Sequence, residues 1–150
     1  MTTVKGNAVA QAKFLKPISR DEAIVILNNF LIRIARLNAD PYFFMGVCKV
    51  EVFGSYLSEA AFVNDIDLFV HYDFKPSFRA SDRIRLGQDR TKLAQKNGRQ
   101  FRNIVDQISW PTQEVKLYIR AREPRLSLHH FSDPTIHFVE KKVIFSETWS

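Results

Sequence analysis

Residues 50–70 read VEVFGSYLSEAAFVNDIDLFV, two apolar runs separated by Gly54-Ser55, the second opening on Asp65 and Asp67. Val47 to Phe53 is rich in β-formers and stops at glycine, which predicts a strand; Ile66 to Tyr72 predicts a second, apolar on both faces until His71 and therefore central in a sheet. Side chains two apart in a strand share a face, so Asp65 and Asp67 project together. Two carboxylates that close repel. A divalent cation offsets the repulsion directly, since Mg²⁺ takes oxygen ligands and is commonly held by one or two carboxylates plus substrate phosphates. Gly54 permits a sharp turn with no Cβ in the way, and Ser55 is placed to cap a short following helix whose amides could face phosphate. The stretch predicts a cradle for a metal-bound triphosphate. A plain turn pair followed by an edge-strand device is the bland alternative.

Upstream, residues 1–17 are polar, lack a period and end at Pro17, which predicts a loose arm; the single domain then spans 18–150. Ser19-Arg-Asp-Glu22 has the capping-box spacing, so a helix is expected from there, with Ile24, Leu27, Leu31, Ile34 and Ala35 as its apolar stripe and Asn38 to Pro41 as its stop. Downstream, Ser81 to Asn97 predicts a basic helix with few apolar anchors, namely Ile84, Leu86 and Leu93, closed by Asn97-Gly98. Phe101, Ile104, Val105 and Ile108 favour a helical turn or two, with a strand as the alternative. Glu114 to Ala121, EVKLYIRA, alternates apolar and polar and predicts a half-exposed strand, and one last strand or pair is expected within 135–145.

The chain has 150 residues, 45% of them hydrophobic, enough for one domain with a real core. No apolar run approaches the ~20 residues of a membrane helix, and the first residues lack an apolar signal-peptide centre, so a soluble, cytoplasmic protein is expected. The lone Cys48 excludes an internal disulfide and reads as a small buried side chain. The net charge of +6 is compatible with an anionic partner and equally with simple solubility.

Gly54-Ser55, nine intervening residues, then Asp65-Ile-Asp67 followed by Leu-Phe-Val resembles the Gly-Ser and Asp-x-Asp signature of the DNA polymerase beta-like nucleotidyltransferase superfamily, its minimal members in particular. The resemblance covers about residues 47 to 73. It implies an α+β (α/β-like) nucleotidyltransferase fold with a mixed sheet and helices mostly on one face. It also implies Asp65 and Asp67 as ligands of two Mg²⁺ ions (or Mn²⁺), Gly54 and Ser55 as triphosphate-binding residues, and a third carboxylate on a neighbouring strand. Glu114, at the start of the alternating segment, is the choice for that carboxylate over Asp106, whose surroundings read as helical. Glutamate is one methylene longer than the family's aspartate, and a displacement of ~1 Å can cost ~100-fold in rate. The stretch Tyr56-Leu57-Ser58-Glu59 also lacks the arginine that many minimal members carry after Gly-Ser.

Between Ser77 and Arg102 eight cations face two anions, a balance of +6 that equals the whole chain's. Arg83, Arg90, Lys92 and Arg99 are the candidates for phosphate or nucleic-acid contact, with a solvated helix face as the alternative. His129-His130 with Asp133 lack a recognised ligand spacing and read as loop. The expected activity is transfer of a nucleoside monophosphate from an NTP such as ATP to a hydroxyl of RNA, protein or a small molecule. A toxin–antitoxin or phage-defence setting with a cognate protein partner follows from the family alone. The rival expectation is a catalytically weak or inactive module of the same fold that binds nucleic acid or a protein.

Overall fold

The computed structural model of this α+β chain describes residues 15–149, so the predicted arm, up to residue 14, lies outside the described residues. A two-residue strand β1 (Ile18–Ser19) leads into helix α1 (Arg20–Ala39). Strand β2 (Met45–Phe53), a single 3-10 turn (Gly54–Leu57), the short β3 (Phe62–Val63) and β4 (Ile66–Phe74) follow. Helix α2 (Arg83–Lys96), helix α3 (Ile104–Arg120), β5 (Leu126–His129) and β6 (Lys142–Ser146) complete the order. The main sheet runs β5-β4-β2-β6, with β4 and β5 parallel and the other neighbours antiparallel, while β1 pairs with β3.

Helix α1 starts where the capping box predicts, with the Glu22 amide donating to Ser19 Oγ at 3.1 Å. Its buried stripe is Ala23, Leu27, Phe30, Ile34 and Leu37. The expected stripe shared Leu27 and Ile34 but was turned too far to one side: Ile24 and Ala35 are exposed. Aliphatic residues surround this helix, so type alone does not select the core face.

The sheet has two unlike faces. Val50 and Val52 of β2 and Ile66, Leu68 and Val70 of β4 point to the helix side, where they share one core with α1 and with Val115 and Ile119 of α3. The alternate residues Asp67 and Phe69 of β4, and Phe53 of β2, face the other side, where Phe53 and Phe69 pack with Ile136 from a 3-10 turn (Pro134–His137).

Two expectations are corrected here. Glu114 to Ala121 is not a strand; residues 104–120 are helix α3, capped by Asn103, whose side chain accepts from the Asp106 amide at 3.0 Å. The alternation Val115, Leu117, Ile119 would bury all three, yet Leu117 is 44% exposed while Val115 and Ile119 are buried, four residues apart. The period of 3.6 prevails because the helix has a sheet to cover and EVKLYIRA suits either period. Helix α2 forms near its predicted bounds, but Ile84 is 76% exposed, and the buried residues are Thr91 and Ala94.

Helix α3 carries Pro111 inside it, which removes one amide from the ladder and leaves the Gln107 carbonyl without its usual donor. Thr91 of α2 supplies the replacement, its Oγ1 lying 3.1 Å from the Gln107 oxygen and 3.0 Å from the Gly87 oxygen. Thr91→Val keeps the shape and leaves the carbonyl unsatisfied, so urea titration is expected to show a loss of about 1–3 kcal/mol, and Thr91→Ser a smaller one. Equal stability of the valine variant would show that water reaches the site.

Candidate functional site

The β2/β4 register sets Phe53 opposite Asp67, so the end of β2 and the start of β4 meet on the sheet face away from the helices. Gly54 turns the chain there with φ of 72°, in the left-handed region, and a Cβ on Gly54 would overlap Asp67 Oδ2. Ser55 does not cap the 3-10 turn, whose N-terminal cap is Phe53 without a side-chain bond; its Oγ donates instead to the Asp65 carbonyl at 3.2 Å, tying the turn to the carboxylate segment. Arg20 secures the same loop, donating to the carbonyls of Tyr56, Ser58 and Ala60. The segment lacking an arginine of its own is therefore gripped by one from α1.

Gly54, Ser55, Asp65 and Asp67 are thus brought together. Burial pushes the Asp67 carboxyl up, the His129 hydrogen bond opposes this, and the nearby Asp65 charge adds to the rise. The third neighbour is β5, whose parallel register puts Ser127 beside Asp67. His129 lies on the same face: its Nε2 is 3.1 Å from Asp67 Oδ1 and 3.2 Å from Ser127 Oγ, and its Nδ1 is 2.9 Å from Asp133 Oδ2. In the sequence Ser127 goes unremarked and His129 and Asp133 read as loop residues, whereas His129 ends β5. The signal was Leu126-Ser127-Leu128-His129, a four-residue alternation too short to stand against loop residues on both sides.

Glu114 does not join this group. It lies on α3, the helix whose Val115 and Ile119 pack against the opposite face of the sheet, and its Oε2 accepts from the Tyr42 hydroxyl at 2.8 Å. A helix placed over the core face cannot present its side chains through the sheet. Burial pushes the Glu114 carboxyl above the ordinary glutamate range, with Tyr42 and Arg90 opposing. The folded chain therefore holds this proton better than the unfolded chain, and the stability that proton confers is lost as pH rises from the ordinary glutamate value through the folded one. Glu114→Gln is expected to flatten that fall in a pH series of melts; a steeper fall would overturn the reading.

The basic candidates also lie elsewhere. Arg83 sits with its guanidinium 4.2 Å from the Phe74 ring centre, at the far end of β4, seven residues or ~23 Å along the strand from Asp67. Arg90 covers Tyr42 at 3.9 Å and Arg99 covers Trp110 at 4.3 Å. Lys92 is exposed on α2. Cys48 is only half-buried, its Sγ 3.5 Å from the His71 carbonyl.

Among the described residues, no three His, Cys, Asp or Glu side chains converge as a metal-binding group. The donor set at the strand ends is narrower: two nearby carboxylates, whose mutual repulsion a cation relieves. By its chemistry that pair suits at most one divalent ion. A second ion, which the resemblance implies, finds no third carboxylate on β5. Among the described residues no helix is long and apolar enough to cross a membrane. Comparison with protein-family models, with curated proteins and with solved structures gave no match to this chain.

Proposed function

We propose that the chain is a nucleotidyltransferase-fold protein that moves a nucleoside monophosphate from an NTP to an acceptor hydroxyl in RNA, a protein or a small molecule. One observation carries this reading: the β2/β4 register that joins the Gly54-Ser55 turn to the Asp65/Asp67 pair on the sheet face the helices leave free. In the proposed reaction the acceptor oxygen bonds to the α-phosphorus, the bond to pyrophosphate breaks and the hydroxyl proton leaves to solvent. Asp65 and Asp67 would hold Mg²⁺ or Mn²⁺, which when bound neutralises charge building on the phosphate oxygens. Gly54 keeps a side chain out of the space beside Asp67, and Ser55 with Arg20 fixes the loop that borders it. A cytoplasmic setting and a cognate toxin or antitoxin partner belong to this reading.

A second reading, a catalytically weak or inactive module of the same fold that binds nucleic acid or a protein, is favoured by the strand beside Asp67. Ser127 stands next to Asp67 in register, and His129 engages the oxygen Oδ1. Incubation with labelled NTPs, Mg²⁺ or Mn²⁺, and fractions of cellular RNA and protein separates the two. Label in one fraction, absent without metal, supports transfer. No label and no metal-dependent NTP affinity by calorimetry overturns transfer and leaves the binding module.

A further inference from the structure

Helices α2 and α3 pack as a hairpin, with Thr91 against Gln107 and Gly87 close to Pro111, and between them runs an open groove of about 820 Å³. Its walls include Phe44, which precedes β2, Met45 and Phe74 from the sheet, and Ile84, Ile104 and Ile108 from the helices. The outer rim is unusual for a surface. Ile84 is 76% exposed, Ile108 73% and Ile104 64%. None of these side chains belongs to either core cluster. Contiguous exposed aliphatic residues on two adjacent helices form a surface that association would cover.

Charge decides what covers it. Among the described residues no carboxylate lines the groove, whereas Arg83 and Lys92 do. Arg83 is held over Phe74, its guanidinium carbon 4.2 Å from the ring centre, which fixes its charge at the groove wall. The segment from Ser77 to Arg102 carries eight cations against two anions. A second copy of this chain would bring like charges together. The first 14 residues hold Lys5 and Lys13 and no acid, so they are no better matched. Nucleic acid would satisfy the cations but leave the isoleucines uncovered, and Arg83, Arg90 and Arg99 already lie against aromatic rings.

We propose that the α2/α3 groove is the docking site for an acidic amphipathic helix of a protein partner, its apolar stripe on Ile84, Ile104 and Ile108 and its carboxylates on Arg83 and Lys92. Helix α2 has 14 residues and is ~21 Å long, so a partner segment of about four turns fills the groove. The site is separate from the strand-end carboxylates and does not depend on their chemistry.

The test uses fluorescence anisotropy with the full chain and three labelled probes: a helical peptide of about 16 residues with leucines at i, i+3, i+4 and i+7 and glutamates elsewhere, the same peptide with lysines for glutamates, and a single-stranded RNA. The acidic peptide is expected to bind saturably and the lysine peptide not. Ile108→Glu, at an exposed position, is expected to weaken binding by about tenfold or more. Lys92→Glu should weaken it less and flatten its salt dependence. Asp67→Asn should leave peptide binding unchanged, which separates this proposal from the nucleotide reading. Equal binding of both peptides, no saturable binding, or RNA binding that Ile108→Glu abolishes overturns the proposal. So does self-association in sedimentation that Ile108→Glu removes, since that makes a second copy the occupant.

Discussion

Asp67→Asn is expected to abolish the thermal shift that the proposed nucleotidyl transfer requires Mg²⁺ and NTP to give the wild-type protein, and with it any transfer of label. At ligand a hundredfold above its Kd, binding to the folded state alone adds about 2.7 kcal/mol, and the neutral amide forfeits the ion that makes this binding tight. Without metal the variant is expected to be no less stable at neutral pH. Burial outweighs the His129 contact and raises the Asp67 carboxyl. A group whose folded value is raised gives stability fully present below its unfolded value and lost as pH rises through the folded one, whereas asparagine has no proton to lose. Melts of both proteins with and without ligand decide the matter. A destabilised variant whose ligand-induced shift equals the wild type's would return Asp67 to a purely structural role.

Gly54→Ala is expected to be the costliest single methyl group in the site. The position has φ of 72°, and the new Cβ would overlap Asp67 Oδ2. The left-handed backbone costs about 1–2 kcal/mol for a residue with a Cβ. The overlap adds to this because the Asp67 carboxylate is not free to swing: its other oxygen is held by His129 at 3.1 Å. A double-mutant cycle separates the two costs. In the Asp67→Ala background the steric part should vanish and the backbone part remain, giving a coupling well outside error. Strictly additive losses would mean that the carboxylate moves aside without cost.

Strands β2 and β4 were legible because two apolar runs flank a Gly-Ser break, although their antiparallel pairing was not, and the placement of Gly54, Ser55, Asp65 and Asp67 at their facing ends was legible with them. Gly54, Ser55, Asp65 and Asp67 are neighbours in sequence, and the strand period alone sets the two carboxylates side by side. The capping box at Ser19 was equally local. What failed was each inference that needed to know which surface an element would cover. EVKLYIRA fits a strand by alternation and a helix by the four-residue spacing of Val115 and Ile119; the open face of the sheet, once formed, selected the helix and carried Glu114 to the far side of the sheet. The neighbour of Asp67 is fixed by the parallel pairing of β4 with β5, two strands separated by both helices α2 and α3, and no local pattern encodes that Ser127 and His129 arrive there. Sequence by itself determined the local geometry, because backbone period, glycine freedom and capping act over a few residues. Only the tertiary structure decided the third partner of the carboxylate pair and the aromatic rings that hold the arginines, because burial and pairing join residues the chain keeps far apart.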